Sequence, residues 1–416
     1  MNDAGTAVRP VDPPLLTCLR WDAAGDEALA CLTDADWGPL MAVIRAGRGH
    51  HFLARRLDLT GVAAPPWVVG ELQEQAKVAL FVMFQTLARL RACCAGADHP
   101  ILALKGLDLA HRVYPHAGVR PMSDCDILVS PSQVLAMDAV LRGHGYRRST
   151  PLNEAIITGD GGEHHALYRP ADGRGLPVEL HWRLSVIAHG RGGRDADTVL
   201  ARAVPAAHRS LPAPIHVLPP EDTLLHLCEH IAHHDCETSL TQVWDLAEVL
   251  RWAGGAFDWD LFWRQAESAR LVNAARLCLC QLDRTLGVTV PAAQEKAPRG
   301  MVPVSVIDSL PEVLPNLRGF FRDPDHKNTF KVAVVLNSNR SLADWLSWGR
   351  RKTAAPVTAD DAPARPAYTL LRDRLRIGYQ FLLPRWRLIR LWLFNGAKVR
   401  KKARQRSEIV RWVEED

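Results

Sequence analysis

Residues 101–129 read ILALKGLDLAHRVYPHAGVRPMSDCDILV, and this stretch decides the fold. A short apolar run leads to a lysine-glycine pair, and about one helix length later two aspartates precede a second apolar run. This order predicts a strand, a glycine turn, a helix and a second strand. Because side chains alternate along a strand, we expect Asp124 and Asp126 on one face and Cys125 on the other.

The two aspartates predict a metal site. Carboxylates that share one face repel each other unless a cation lies between them. Hard oxygen ligands at this spacing suit Mg²⁺, which usually also holds a substrate phosphate. The alternative is a solvated strand edge, since isolated Asp-x-Asp sequences are common. The adjoining apolar strand and the glycine turn upstream favour metal-dependent phosphate chemistry.

A third carboxylate is expected on a later strand. Residues 164–182 predict a strand, a turn and a strand, with Glu179 and His181 on one face of the second strand. The other face of that strand is apolar. Glu179 is therefore the natural third partner of the aspartates, and His181 either contributes to the site or packs beside Trp182.

Three residues upstream of the aspartates suit phosphate binding. Gly106 lets a backbone approach a phosphate closely, and the helix after it directs amide groups at anions. Lys105 adds a positive point charge. Arg120 is either another phosphate contact or one partner of a surface salt bridge.

Composition narrows the class of protein. The chain has 416 residues, 47% hydrophobic and 23% charged, with a net charge of +5, too small to indicate nucleic-acid binding by itself. Nine cysteines occur without a Cys-x-x-Cys pair, which argues against a zinc knuckle or a disulfide framework. We expect a cytoplasmic protein, because no signal peptide and no apolar run of spanning length is present.

The fold class predicted is α+β, with a small mixed β-sheet core between helical regions. Periodicity divides the chain into an N-terminal helical region (1–98), the core (99–205), a C-terminal helical domain (206–300), an irregular linker (301–366) and a basic amphipathic tail (367–416). No acidic residue lies between Arg374 and Ser407. Residues 372–416 could therefore contact the inner face of an anionic membrane or another polyanion, with nucleic acid the weaker choice, or dock on the body of the protein.

Three histidines share one face of a predicted helix. His226, His230 and His233 stand at positions i, i+4 and i+7. They could bind a metal, line an acceptor cleft or support helix packing. The sequence leaves these three readings open.

The residues around both strands resemble a known family. Its features here are Leu-Lys-Gly at 104–106, Arg-x3-Asp-x-Asp at 120–126, the Glu-Leu-His-Trp strand at 179–182 and flanking helices that include Trp244-Asp245-Leu246. This order is similar to the uncharacterised bacterial nucleotidyltransferase family of the polymerase-beta-like superfamily, over roughly residues 30–255.

The resemblance implies a nucleotidyltransferase core that uses two Mg²⁺ ions. Asp124 and Asp126 would hold both ions, and Glu179 would bind the ion on the acceptor side. The donor would be an NTP such as ATP, and an NMP would pass to a hydroxyl or phosphate of a small-molecule, sugar or peptide acceptor. Lys105-Gly106 stands where other members of the superfamily carry Gly-Ser or Gly-Gly.

Two other functions remain open at this point. The fold could bind a nucleotide or a partner without catalysis, as an accessory protein. The same donor could also give up a phosphoryl group instead of a nucleotidyl group.

Overall fold

A computed structural model describes most of the chain. The described residues are 17–95, 97–159, 163–184, 194–206, 211–212, 214–233, 239–298, 302–309 and 408–413. Most of the predicted linker, and the basic tail apart from 408–413, lie outside the described residues. Two compact units are present, and the first contains every described residue up to 302.

Four helices precede the sheet: α1 (Ala23–Ala30), α2 (Asp34–Gly47), α3 (His50–Thr60) and α4 (Pro66–Ala95). In the sequence, Thr33 followed three residues later by Asp36 predicts a capping box, and this prediction is confirmed at the start of α2. The backbone N–H and the hydroxyl of Thr33 donate to Oδ2 of Asp36 at 2.9 and 2.6 Å. These two bonds fix the start of α2, because a helix end leaves such donors without a partner inside the helix.

Helix α4 is 30 residues long, and the apolar periodicity of the sequence predicts a helix over about 67–94. One side, with Leu87 and Leu90, packs on the core, while Phe81 and Phe84 are 63% and 69% exposed. By length and composition alone α4 could cross a membrane, and 33% of its most apolar window is buried. One such helix is weak evidence, since core helices of soluble proteins meet the same criterion.

The sheet has seven strands in the order β3-β4-β5-β2-β1-β7-β6. Their bounds are β1 Ile101–Ala103, β2 Cys125–Leu128, β3 Tyr146–Arg148, β4 His165–Pro170, β5 Val178–His181, β6 Val204–Pro205 and β7 Ile215–Val217. The pairs β2–β5 and β1–β7 are parallel and the others antiparallel. The mixed sheet among helices confirms the predicted α+β class.

Short helices connect the strands: α5 (Lys105–Arg112), α6 (Val134–Gly143), α7 (Glu154–Thr158) and α8 (Ala196–Arg202). The strand, helix and strand predicted for 101–129 are therefore present as β1, α5 and β2. The predicted alternation on β5 is also confirmed, because Val178, Leu180 and Trp182 are buried in the main core cluster. Their neighbours on the opposite face, Glu179 and His181, are left for the site.

Strands β3, β6 and β7 were not predicted. The sequence predicts a loop with a short helix over 183–213, and only the helix, α8, was foreseen there. Strands β6 and β7 pair with each other, and β7 runs parallel to β1. The predicted boundary between residues 205 and 206 thus falls inside a hairpin of the sheet. With two and three residues, these strands are too short to show a period of two.

Five helices follow the sheet: α9 (Pro220–His233), α10 (Leu240–Ala253), α11 (Trp259–Ser268), α12 (Val272–Leu286) and α13 (Pro291–Lys296). Buried ion pairs connect α9 and α10 to earlier segments. Arg194 lies 3.0 Å from Asp222 of α9, and Arg55 lies 2.6 Å from Glu248 of α10. The second unit contributes α14 (Val304–Ser309) and the helical residues 408–413.

Candidate active site

Parallel pairing of β2 and β5 assembles the candidate site. The register places Asp126 opposite Glu179 and Leu128 opposite His181. Asp126, Glu179 and His181 each offer one ligand atom, and these atoms lie within 4.8 Å of one another. Asp126 and His181 are buried, whereas the Glu179 side chain is 24% exposed. The group therefore has one side that is open to solvent.

Lys105 joins this group from the start of α5. Its Nζ lies 3.0 Å from Oδ1 of Asp126, and the backbone N–H of Leu104 donates to the Asp126 carbonyl at 3.1 Å. The Lys105 backbone has φ +43°, in the left-handed region that residues other than glycine rarely adopt. The ion pair with Asp126 accompanies this strained backbone.

Asp126 is held as a carboxylate. Burial alone would raise the pKa of Asp126, but the charge of Lys105 and the hydrogen bond from His181 hold it well below the usual range. His181 Nε2 lies 3.0 Å from the same Oδ1 that contacts Lys105. This carboxylate is therefore ionised at neutral pH.

Asp124 lies immediately before β2 and is partly buried. Burial raises the pKa of Asp124, and the negative charges of Asp126 and Glu179 raise it further, against an opposing effect of Lys105. Asp124 thus shares the electrostatic surroundings of the other two carboxylates. Within the described ranges, however, the tight ligand groups contain Asp126 and Glu179 but not Asp124.

The carboxylates fit a divalent cation. The His181 imidazole, whose Nε2 lies 3.6 Å from Glu179 Oε2, lowers the pKa of Glu179 against the effect of burial, so Glu179 and Asp126 are both ionised. The repulsion recorded in the raised pKa of Asp124 is the kind that a bound cation relieves. The His181 imidazole in the same group is a ligand that Mg²⁺ does not favour.

Arg120 lies in a buried ion pair. Its Nε and Nη2 donate to the two carboxylate oxygens of Asp245 at 2.8 and 2.7 Å, and the Tyr114 hydroxyl donates to Asp245 at 2.9 Å. The pair fastens the segment before β2 to α10. Of the two readings open in the sequence, the structure shows a salt bridge, and a buried one. Phosphate contact by Arg120 stays a prediction.

Gly106 permits a close approach, but the neighbour in the structure is a side chain. A Cβ at this position would lie 2.7 Å from Met122 Sδ and 3.5 Å from Arg120 Nη1. Gly106 therefore lets the segment before β2 pack against the start of α5. Its contact with a phosphate stays a prediction, as does that of Lys105.

Sequence reasoning missed two histidines beside the group. His165 stands directly opposite His181 in the β4–β5 pair, and their ring centroids are 5.0 Å apart. The His164 ring lies 4.4 Å from that of His165. Burial lowers the pKa of His164 to about 2 and of His165 to about 4, so both are neutral at pH 7. Their adjacency in the sequence was the available signal.

The histidine face of α9 approaches the same place. His226 is buried, and burial followed by the charges of Lys105 and Arg194 lowers its pKa far below the usual value. The His233 ring lies 4.7 Å from that of His164. Of the three roles left open by the sequence, lining the site agrees with these contacts.

Comparison with known proteins gives one sequence match and one structural likeness. Residues 33–287 match the sequence model of a family described as uncharacterised nucleotidyltransferase. The solution structure of the antibiotic-resistance factor ANT(2'')-Ia is similar at 12% identity over 41% of this chain and 85% of that chain, with a TM-score of 0.30. None of the curated proteins matches the sequence. Since the family match spans more than half of the sequence, the chain belongs to this family of uncharacterised nucleotidyltransferases and is a transferase of that kind.

Proposed function

We propose that the protein transfers an NMP from an NTP to a hydroxyl or phosphate group of a small-molecule, sugar or peptide acceptor. The observation that carries the proposal is the meeting of Asp126, Glu179 and Lys105 at one place on the sheet, in a member of a nucleotidyltransferase family. Asp124 shares their electrostatic surroundings.

The reaction proposed is an in-line displacement. The acceptor oxygen forms a bond to the α-phosphorus, the bond to the bridging oxygen of the β-phosphate breaks, and pyrophosphate leaves. Two Mg²⁺ ions, when bound, would offset the negative charge of the triphosphate and of the attacking oxygen. Asp124, Asp126 and Glu179 would hold them.

The protein groups position the reactants and move a proton. The hydrogen bond from His181 orients Asp126, and the ionised Glu179 at the solvent-open side accepts the proton of the acceptor hydroxyl. The Lys105 ammonium, 15% exposed, can turn from Asp126 to a donor phosphate. We propose that this exchange of partners accompanies binding of the triphosphate.

The test uses the full chain, Mg²⁺, a metabolite extract and ATP labelled in the adenosine moiety. Mass spectrometry should find an acceptor heavier by one AMP, together with pyrophosphate. Asp126→Asn should abolish the product, and Glu74→Gln, in an exposed pair with Lys77, should leave it unchanged. An acceptor heavier by one phosphate would instead identify phosphoryl transfer.

A binding assay separates catalysis from an accessory role. Thermal unfolding should shift upward with Mg²⁺ plus one or more NTPs, and Asp124→Asn should weaken that shift. A shift without any modified acceptor or released pyrophosphate would favour the accessory protein. The absence of any Mg²⁺-dependent shift would contradict the proposed function.

A further inference from the structure

We propose that His164, His165 and His181 form a binding site for a divalent transition-metal ion of the zinc class. One ligand atom from each histidine lies within 4.8 Å of the other two. His181 also belongs to the carboxylate group, so the two sites are neighbours. This inference does not rest on the proposed transfer reaction.

The backbone fixes the three imidazoles together. His165 and His181 are cross-strand partners in the β4–β5 pair. His164 precedes β4, and its carbonyl accepts a hydrogen bond from the Trp182 backbone at 3.0 Å. The ring centroids of His164 and His181 are 5.6 Å apart. The ring centroid of His165 lies 4.4 Å from that of His164 and 5.0 Å from that of His181. Strand register therefore holds the cluster without any ligand.

The ring nitrogens are poised for an electrophile. Nδ1 of all three histidines is buried and has no hydrogen-bond partner within the described part of the chain. A buried polar atom without a partner costs about 1–3 kcal/mol. A metal ion bound at any of these nitrogens would remove the cost at that atom.

His181 also has the carboxylate partner that metal-binding histidines usually have. Its Nε2 lies 3.0 Å from Asp126 Oδ1, so in the neutral imidazole the proton is on Nε2 and the lone pair is on Nδ1. The carboxylates of Asp126 and Glu179 raise the pKa of His181 against the effect of burial, so a metal ion would compete with a proton for Nδ1. A histidine ligand commonly donates its second N–H to a carboxylate, which fixes the tautomer and increases the basicity of the ligating nitrogen. Asp126 would be the carboxylate that accepts this N–H from His181.

The ligand type determines which ion fits. Imidazole nitrogens suit Zn²⁺, Co²⁺ and Ni²⁺, whereas Mg²⁺ prefers oxygen. Nitrogens around a tetrahedral zinc ion lie about 3.4 Å apart, given Zn–N distances of about 2.0–2.1 Å. The ligand atoms, now within 4.8 Å of one another, would therefore move closer together around an ion, with water as the fourth ligand.

In the experiment, transition metals are first removed from the untagged full-length protein. Co²⁺ is then titrated into it in a buffer that contains excess Mg²⁺. We expect one Co²⁺ per chain, with a tetrahedral visible absorption spectrum that Zn²⁺ removes and Mg²⁺ does not. His164→Gln and His165→Gln should each weaken binding by at least about tenfold. His144→Gln changes an exposed histidine directly after α6; it is the matched control and should leave binding unchanged.

A second measurement needs no variant. X-ray absorption of the Zn²⁺-loaded protein should show at least two imidazole nitrogens around the ion. Sulfur or oxygen ligands alone would overturn the proposal. It would also fail if Co²⁺ did not bind at one per chain, or if both glutamine variants, shown by circular dichroism to be folded, bound it like the wild type. Because none of these readouts requires turnover, they are independent of the transfer reaction.

Discussion

Replacing Lys105 by methionine should destabilise the protein through the carboxylate that it leaves behind. Methionine has a similar length but no charge, so Asp126 remains buried with only His181 as a donor. An ion pair at 3.0 Å gains about 5.5 kcal/mol at an effective dielectric constant of about 20. Desolvation of both charges offsets much of that gain.

The expected net loss is about 3 kcal/mol in the free energy of unfolding. Removing one partner of a buried pair costs about 3–5 kcal/mol, and the remaining bond from His181 favours the lower end. Lys105→Gly should cost about 0.5–1 kcal/mol less than Lys105→Met. Glycine adopts φ +43° without strain, and its greater freedom in the unfolded chain removes only part of that advantage.

Urea unfolding followed by circular dichroism measures these differences. Lys77→Met is the matched control, because its pair with Glu74 is exposed, and it should change stability by less than about 0.5 kcal/mol. In Lys105→Met/Asp126→Asn the two losses should be non-additive by at least about 1 kcal/mol. Additive losses, or a Lys105→Met protein as stable as the control, would refute the reasoning.

Three further changes have defined outcomes. Burial and the neighbouring carboxylates raise the pKa of Asp124, so its ionisation opposes folding as the pH rises. Asp124→Asn should therefore raise the Tm at pH 8 but not below about pH 4. An equal shift of the Tm at both pH values would contradict this. Arg120→Lys should lose about 2–3 kcal/mol in urea unfolding, because lysine cannot bind Asp245 in bidentate fashion; unchanged stability would show that the pair is dispensable. Gly106→Ala should cost about 1–3 kcal/mol through the clash with Met122, and Met122→Ala in the double variant should restore part of it, as thermal unfolding would show.

The sequence predicted the features that have local causes. The period of two placed Glu179 and His181 on the face of β5 that does not carry its apolar residues. The apolar runs at 101–104 and 127–129 predicted β1 and β2. Such alternation is written directly in the order of residues. The capping box of α2 is likewise a contact between residues three positions apart.

Other features depend on contacts between distant segments. Nothing local specifies that β2 pairs with β5 in a register that sets Asp126 against Glu179. The positive φ of Lys105 and the bond between Arg120 and Asp245 likewise depend on the surroundings supplied by the rest of the fold. The histidine cluster escaped notice because its members become neighbours only when β4 and β5 pair.

The two outer strands of the sheet limit how other molecules can associate with it. Strand β3 has three residues, and β6 has two, the second being Pro205, which lacks a backbone N–H. Short or proline-containing edges resist β-augmentation and edge-to-edge aggregation. A peptide acceptor would therefore gain little by lengthening the sheet. It would reach the carboxylates from the solvent-open side of Glu179 instead, and recognition would depend on side chains more than on main-chain pairing.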